Sequence, residues 1–351
     1  MIPTLVGITL ITFFIMKLAP GDPVMLKLMF AGEGISPDAL AAQLQSQKPP
    51  IELPQGYLEF SEKVAQSVHG GENFQETFTY KSFHWIGENT VFYGKWLKNI
   101  VHLDFGLSFK DKKSVTKKIW EALPVTLLIN IVTIFVVYLV SLPLGIWSAT
   151  HQGTVMDKIV MVKLFIFYSL PTFWVATMLL VFFAGGDYLD IFPLLGIKSD
   201  DFSELSLFGK IADIAWHLCL PVLAETIGSF AFLARFSRSN FLDVIRQDYI
   251  RTARAKGLPE SKVLFKHGLR NALIPLVTLM GTLLPALLGG SVIIEQIFSI
   301  PGMGMLSFEA VLGRDHNVIM GIAIISAFLT LVSLLLADLM YTVVDPRIKI
   351  R

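Results

Sequence analysis

Long apolar stretches alternate with polar connections along this chain of 351 residues. A helix needs roughly 20 mainly apolar residues to cross about 30 Å of hydrocarbon. The stretches lack the period-two alternation of a membrane barrel, and lipid offers no partner to an unpaired backbone group. The pattern predicts an all-α integral membrane protein with six transmembrane helices: Ile2–Ala19, Ala122–Ala149, Ile159–Ala184, Trp216–Ala234, Ala272–Ile294 and Val318–Tyr341.

Composition supports the membrane assignment. Hydrophobic residues make up 53% of the chain and charged residues 16%, whereas a soluble domain carries about a quarter charged residues. A single cysteine, Cys219, excludes an internal disulfide framework. Membrane helices tolerate proline as a kink, and prolines lie in or at the ends of the predicted spans at Pro143, Pro171, Pro221, Pro275 and Pro285.

The orientation follows from positive charge, because short cytoplasmic connections are rich in lysine and arginine. The connection after the fourth span is strongly basic, and Arg347, Lys349 and Arg351 follow the sixth. The connection after the third span is acidic instead. We therefore expect both termini in the cytoplasm and residues 20–118 outside. The basic residues after the fourth span are Arg235, Arg238, Arg246, Arg251, Arg254, Lys256, Lys262, Lys266 and Arg270.

The domain organisation predicted from this pattern has three parts. Residues 1–19 form the first helix, 20–118 a small extracytoplasmic cap, and 119–351 a five-helix core. The first helix has no basic region before it and no small-residue cleavage site near Ala19, so we expect a retained helix and not a signal peptide. The missing positive charge also suggests a natural start further upstream.

The connection at 235–270 has the pattern of a helical hairpin. Residues Leu242–Lys256 favour helix, and Gly257 suits the left-handed position just past a helix end. Pro259 suits the first turn of a second helix. Ala253 and Ala255 are small, so a partner surface could approach the backbone closely there. A basic loop that only sets the topology is the alternative interpretation.

Two motifs in this segment resemble a known family. Ala253-Arg-Ala-Lys-Gly257 and Arg270-Asn-Ala-Leu-Ile-Pro275 are similar to the cytoplasmic loop of binding-protein-dependent ABC importer permeases, with Asp248 at the usual acidic position. The resemblance implies that this loop inserts into a groove of an ATPase subunit and couples its closure to the spans. It implies the same coupling role for seven positions: Asp248, Ala253, Ala255, Gly257, Arg270, Asn271 and Pro275.

Further motifs resemble the oligopeptide and dipeptide permease group, closest to the Yej-type inner-membrane permeases of peptide and microcin C uptake. Those of the wider group are Leu18-Ala-Pro-Gly-Asp-Pro23, Asp104-Phe-Gly-Leu-Ser108, Glu295-Gln-Ile-Phe-Ser-Ile-Pro-Gly-Met-Gly304 and Arg314-Asp315. Those of the Yej type are Phe182-Phe-Ala-Gly-Gly-Asp-Tyr188, Trp216-His-Leu-Cys-Leu-Pro221 and Val344-Asp-Pro-Arg-Ile348.

The resemblance implies a type I ABC importer permease in a bacterial plasma (inner) membrane. Such a chain imports peptides by alternating access, together with a second homologous permease, two ATP-binding subunits and an extracytoplasmic peptide-binding protein. Its surroundings are membrane lipid, and no nucleic-acid partner is expected. The sequence lacks the Gly-x-x-x-x-Gly-Lys-Ser/Thr loop that cradles ATP phosphates, so ATP is expected on the partner subunits. No catalytic residue, metal site or cofactor is predicted.

Glu225 is the ionisable residue near the middle of the fourth predicted span. A charge at that depth costs roughly 2.5–3.5 kcal/mol, so the side chain should face the bundle interior or water. It could line the translocation path and meet the amino end of a peptide, or be a hydrogen-bonded structural carboxyl. An ion-gradient-driven secondary transporter remains the alternative function, and nickel or small saccharides the alternative cargo.

Overall fold

The computed structural model describes residues 2–18, 63, 78–185, 188–276, 279 and 286–344. Within these residues α-helix dominates, and an isolated antiparallel bridge joins Leu107 to Ser114. A π-helical segment spans Lys262–Gly268. The α-helices are α1 Ile2–Leu18, α2 Phe78–Val101, α3 Val115–Thr150, α4 Val155–Ser169, α5 Thr172–Phe183, α6 Leu207–Ile245, α7 Asp248–Ala255, α8 Leu269–Ala272, α9 Ala286–Gly289, α10 Val292–Ile297, α11 Met303–Leu312 and α12 His316–Val344.

The chain divides into two compact units. The first contains Met1–Lys117 and Ala310–Ile324, and the second contains Lys118–Glu309 and Ile325–Arg351. In the first unit, the ring of Phe13 in α1 lies 5.3 Å from that of Tyr93 and 5.6 Å from that of Trp96, both in α2. Aromatic packing therefore holds α1 against α2.

The third predicted span, Ile159–Ala184, is a bent pair and not one straight helix. Helices α4 and α5 meet at 95° across Leu170 and Pro171. Proline lacks the amide hydrogen that a continuing helix needs, and it forces the preceding residue into extended backbone. Leu170 accordingly has φ −78° and ψ 128°. Both arms pack on α6.

Three described helices are long and apolar enough to cross a membrane, namely α3, α6 and α12, and the bent pair would make a fourth. The fifth predicted span, Ala272–Ile294, is interrupted in its described part, since α9 ends at Gly289 and α10 begins at Val292. Its residues 277–278 and 280–285 lie outside the described residues. A multi-pass membrane protein is thus supported, and the count of six spans stays a prediction.

Helix α6 extends beyond both ends of the fourth predicted span, so the hairpin begins later in the chain than the sequence predicts. It continues through Arg235 and Arg238 to Ile245, so the connection at 235–270 begins as helix. The predicted helix Leu242–Lys256 is wrong in one respect, because Gln247 is extended with ψ 151° and separates α6 from α7.

Several predicted features lie wholly or partly outside the described residues, among them the motif Leu18–Pro23 beyond Leu18 and residues 186–187 of the motif Phe182–Tyr188. Of the predicted cap, only Lys63 and the part from Phe78 onward are described. The motif that begins at Val344 continues into residues 345–351, which are also outside.

Candidate functional site

Helix α7 and the turn after it form the tip of a helical hairpin, as the sequence predicts. The Gly257 amide donates to the Arg254 carbonyl at 2.9 Å, and Gly257 has φ +73°. Residues with a Cβ adopt this left-handed backbone at a cost, whereas glycine adopts it freely. A Cβ at Gly257 would meet nothing within 4 Å, so backbone conformation and not space accounts for the glycine.

The two small residues of the tip occupy different environments. Ala253 is buried, 7% exposed, in a cluster with Ile250, Val263 and Leu258. Ala255 is exposed. Ala253 therefore closes the hairpin on itself, and Ala255 is the position whose small side chain faces outward.

Charged residues cover the outer face of the hairpin. Arg254 donates to both carboxylate oxygens of Glu260, at 3.1 Å and 2.7 Å. This hydrogen bonding lowers the pKa of the Glu260 carboxyl and raises the pKa of Arg254. Exposed pairs of this kind stabilise a fold by about 0–1 kcal/mol, so this one orients side chains more than it stabilises the hairpin.

The remaining predicted coupling residues lie at the first turn of α7 and on the helical segment that returns from the tip of the hairpin. Asp248 is exposed in the first turn of α7, where a negative charge complements the helix dipole. The Asn271 side-chain amide donates to the Tyr249 hydroxyl at 2.7 Å and so ties α8 to α7. Arg270 is exposed and Pro275 half-buried. The structure thus places all seven residues on one hairpin or at its base.

The base of the hairpin is anchored to two long helices. A buried cluster joins Ala149 at the end of α3, Phe241 and Leu242 near the end of α6, and Ala272 of α8. The returning segment is π-helical over Lys262–Gly268, an uncommon geometry often found at functional sites. Movement of the hairpin would therefore be transmitted to the ends of α3 and α6.

An ion pair between a buried carboxylate and a partly exposed arginine lies beside this base and was not predicted from the sequence. Arg238 of α6 donates to both oxygens of Asp157 in α4, at 3.2 Å and 2.8 Å, and to the Ser148 hydroxyl of α3 at 2.9 Å. The Ser148 hydroxyl also donates to Asp157, and the Gly153 amide does so at 3.0 Å. Thr154 caps α4 through the Asp157 amide. We call Ser148, Asp157 and Arg238 the three-helix clamp.

The sequence carried part of the signal for this clamp. A threonine followed three residues later by an acid is typical of a helix start, and Thr154 and Asp157 fit that pattern. Nothing in the spacing links them to Arg238, which is 81 residues away from Asp157.

Glu225 borders a cavity of about 390 Å³. One of its carboxylate oxygens accepts a hydrogen bond from Thr133 of α3 at 3.1 Å. Tyr138, Tyr168, Thr172 and Ser229 also line the cavity. The residue thus has a hydrogen-bond partner and also faces open space, and both interpretations made from the sequence stay predictions.

Glu295 organises the Glu295–Gly304 motif around a buried carboxylate, which is 2% exposed. Thr126 donates to one oxygen at 2.9 Å, and the Met305 amide donates to the other at 2.7 Å. The Met303 amide donates to the Thr126 hydroxyl at 2.8 Å. These bonds fold the loop between α10 and α11 against α3, so Glu295 has a structural role here.

Gly302→Ala is expected to destabilise this loop, because an added Cβ would lie 2.5 Å from the Glu295 carboxylate. We expect a loss of about 1–3 kcal/mol, the usual cost of overpacking. Thermal unfolding of the purified protein measures it. Gly289→Ala is the matched control, since its Cβ would meet nothing within 4 Å. Equal stability of the two variants would contradict this account of the loop.

Two motifs that are far apart in sequence meet in the first unit. Asp315 is 2% exposed and accepts hydrogen bonds from the Ser108 hydroxyl at 2.5 Å and the Lys110 amide at 3.3 Å. The Asn317 side chain donates to the Leu107 carbonyl at 2.8 Å. Asp104–Ser108 and Arg314–Asp315 therefore form one structural element.

Asp315→Ala is expected to loosen the turn at 108–113 at a cost of about 1–3 kcal/mol, because it removes the buried carboxylate that accepts hydrogen bonds from Ser108 and Lys110. Trypsin should then cut the detergent-purified chain faster after Lys110, Lys112 or Lys113. Asp200→Ala, an exposed carboxylate elsewhere, is the control. Cleavage at this turn at the same rate in both variants would show that Asp315 does not hold the turn in place.

Comparison with known proteins identifies the family. Residues 141–350 match the family model of the binding-protein-dependent transport system inner membrane component. The inner membrane ABC transporter permease YejB of Escherichia coli O157:H7 is 36% identical, with 99% of this chain and 95% of that protein covered. The oligopeptide transport permease AppB of Bacillus subtilis is 37% identical, with 99% and 96% covered.

The fold is similar to that of a solved transporter. The inward-facing MetNI methionine ABC transporter matches with a TM-score of 0.51 at 19% identity, over 65% of this chain and 96% of that one. The resemblance to the oligopeptide and Yej-type permeases is confirmed, and so is the type I permease fold. The chain belongs to the binding-protein-dependent transport system inner membrane component family, whose members are permease subunits of ABC transporters and not enzymes.

Proposed function

We propose that this chain is one of two related membrane-spanning subunits of an ATP-driven peptide importer. The relatives support peptide cargo through their own names, which refer to oligopeptide, dipeptide and peptide transport. In the proposed complex, two ATP-binding subunits contact the hairpins, and an extracytoplasmic binding protein delivers the peptide. Both termini are cytoplasmic, residues 20–118 are extracytoplasmic, and six spans cross the plasma membrane.

The observation that carries the proposal is the hairpin. Its tip is closed internally by Ile250, Ala253 and Val263, and it presents Ala255 and Gly257 outward. Its base packs on the ends of α3 and α6. A rigid tip that a partner can grip, joined to two long helices, is suited to transmit closure of an ATPase dimer into the membrane.

Transport then proceeds by alternating access. ATP-driven closure of the partner subunits draws the hairpins together and opens the bundle outward, and hydrolysis resets it. Glu225 forms part of the wall of the translocation path in this scheme. An ion-gradient-driven transporter is the alternative function, and nickel or small saccharides are the alternative cargo.

Co-purification from the native host tests the assembly. The tagged chain should bring a second permease and two ATP-binding subunits, identified by mass spectrometry. Ala255→Trp should lose the ATP-binding subunits and keep the second permease, because the bulky ring stands on the exposed face of the tip. Ala212→Trp, an exposed alanine near the start of α6, should keep both. Retention of the ATP-binding subunits by Ala255→Trp, or a chain that purifies alone and still drives uptake, would overturn the proposal.

A further inference from the structure

One face of α6 carries a charged residue toward each end of a stripe. Residues three, four, seven and eleven positions after Glu225 share its face of a helix, and the residue ten positions after it lies about 80° round the axis, at the edge of that face, since 3.6 residues make one turn. The helix runs unbroken from Leu207 to Ile245 and includes all of them. The stripe is Glu225, Gly228, Ser229, Phe232, Arg235 and Phe236.

Two adjoining cavities follow this stripe. The first, of about 390 Å³, is bordered by Glu225 and Ser229. The second, of about 560 Å³, is bordered by Arg235 and Phe236. Tyr168 of α4 and Phe232 of α6 line both cavities. The two cavities are therefore neighbours along α6, and we call them together the cleft; a carboxylate borders the first and a guanidinium borders the second.

Glu225 and Arg235 can bind a charged ligand group, whereas the nearby Arg238 is already bound to a carboxylate. Arg238 also borders the second cavity but is held by Asp157 in the three-helix clamp. Glu225 accepts a hydrogen bond from the hydroxyl of Thr133, which carries no charge. Among the described residues, neither Glu225 nor Arg235 forms an ion pair. Each can therefore take a charged group of a ligand.

The separation of the two charges matches a short peptide. Ten residues of helix at 1.5 Å each place Glu225 and Arg235 about 15 Å apart along the axis. An extended chain spans about 3.3–3.6 Å per residue, so about four or five residues bridge that distance, and fewer if the side chains lean together. The rings of Tyr168 and Phe232, which line both cavities, offer apolar surface to the side chains of a bound peptide without requiring a particular sequence.

We propose that this cleft binds both ends of an extended peptide, the α-ammonium group at Glu225 and the α-carboxylate at Arg235. The inference rests on the proposed function and adds to it a recognition site in the permease itself. It assigns a role to Arg235, which the sequence placed only among the topology-setting charges. The site would therefore select peptides by their two charged termini and by their length.

Peptides with blocked ends test the proposal in the complete complex, reconstituted in liposomes with its partner permease, ATP-binding subunits and binding protein. The probes are oligoalanines of three to six residues with free ends, with an acetylated amino end, or with an amidated carboxyl end. The same binding protein serves every variant, so its own preference cancels when each variant is compared with the wild type.

A crossed pattern is the expected result. Glu225→Gln should reduce the preference for a free amino end about fivefold or more and leave the preference at the carboxyl end unchanged, since one charge-assisted contact is lost. Arg235→Gln should do the reverse. Glu225→Asp and Arg235→Lys keep the charges and should retain both preferences. Asp243→Asn and Lys210→Gln, which remove charges from α6 outside the two cavities, should change neither.

The two possible failures are distinguishable. If the wild-type complex imports peptides with ATP and the variants keep its preferences for both ends, the recognition site is wrong and the proposed function stands. If the wild-type complex shows no ATP-dependent uptake of any oligoalanine, the proposed function fails and the inference fails with it.

Discussion

Ala253→Asp is expected to reduce ATP-driven uptake by at least about tenfold. The side chain of Ala253 is buried against Ile250, Val263 and Leu258, all apolar. A polar group buried without a partner costs about 1–3 kcal/mol even when neutral, and a charge costs more. The tip would open, and the partner ATPase would lose the rigid element that we propose it grips. Uptake into liposomes containing the complete complex measures the effect.

Ala255→Asp adds the same charge two residues away at an exposed position, and it is a control for the folding of the tip only, because Ala255 belongs to the surface that we propose contacts the ATP-binding subunit. Hydrogen exchange distinguishes opening of the tip from a loss of contact with the ATP-binding subunit in a tip that stays folded. Amides from Ile250 to Val263 should lose protection in Ala253→Asp and keep it in Ala255→Asp. Unchanged uptake and unchanged protection in Ala253→Asp would show that the hairpin does not depend on its buried contact.

Arg238→Met is expected to destabilise the protein by about 3 kcal/mol, the lower end of the cost of breaking a buried ion pair, because the buried Asp157 loses its charged partner while Arg238 itself is partly exposed. The Asp157 side chain is only 4% exposed, and Arg238 supplies its guanidinium contacts. We expect the thermal unfolding midpoint of the detergent-purified chain to fall by on the order of 10 °C. The Ser148 hydroxyl would remain as a neutral donor to the carboxylate.

A double-mutant cycle shows whether the lost stability comes from the interaction between Asp157 and Arg238. Asp157→Leu combined with Arg238→Met should cost less than the sum of the single variants, because neither charge is then left buried alone. Arg246→Met is the control, since its hydrogen bond to Gln152 is exposed. Strict additivity, or a loss no larger than that of the control, would contradict a stabilising clamp.

The three-helix clamp bears on transport through its position. It joins the end of α3, the start of α4 and α6 near the place where the hairpin base packs on α3 and α6. Displacement of the hairpin would therefore reach the bent pair α4–α5 through α6. The three-helix clamp connects α3 and α6 through polar contacts, as the cluster around Phe241 connects them through apolar contacts.

The helical architecture was largely predictable from the sequence, because membrane helices need long apolar runs that are visible without any neighbour. The helices at Val115–Thr150, Leu207–Ile245 and His316–Val344 contain three of the predicted spans. The prolines predicted kinks, yet proline gives no angle. Pro143 and Pro221 lie within helices, whereas Pro171 begins a new helix at 95° to the previous one.

The hairpin was predictable because its signals are local. Gly257 has the positive φ that its place past a helix end suggested. The different environments of Ala253 and Ala255 were not predictable, because both are alanines and their burial depends on where Val263 and Leu258 return after the turn. Tertiary contact, and not residue type, separates them.

Polar contacts between distant positions could not be predicted from the chain alone. Ser108 and Asp315 are 207 positions apart, and Thr126 and Glu295 are 169 apart. Their motifs were recognisable, but spacing says nothing about which of them meet. The same holds for the cleft, since helical periodicity places Glu225 and Arg235 within about a quarter turn of each other on α6, and only the fold supplies Tyr168 from α4.

The most direct test of the account is the energy source of uptake. The complete complex in liposomes should import a labelled peptide when ATP reaches the ATP-binding subunits, and non-hydrolysable ATP should not support import. Imposed proton or sodium gradients without ATP should give no uptake. Gradient-driven uptake by this chain without ATP-binding subunits would contradict the account and favour a secondary transporter.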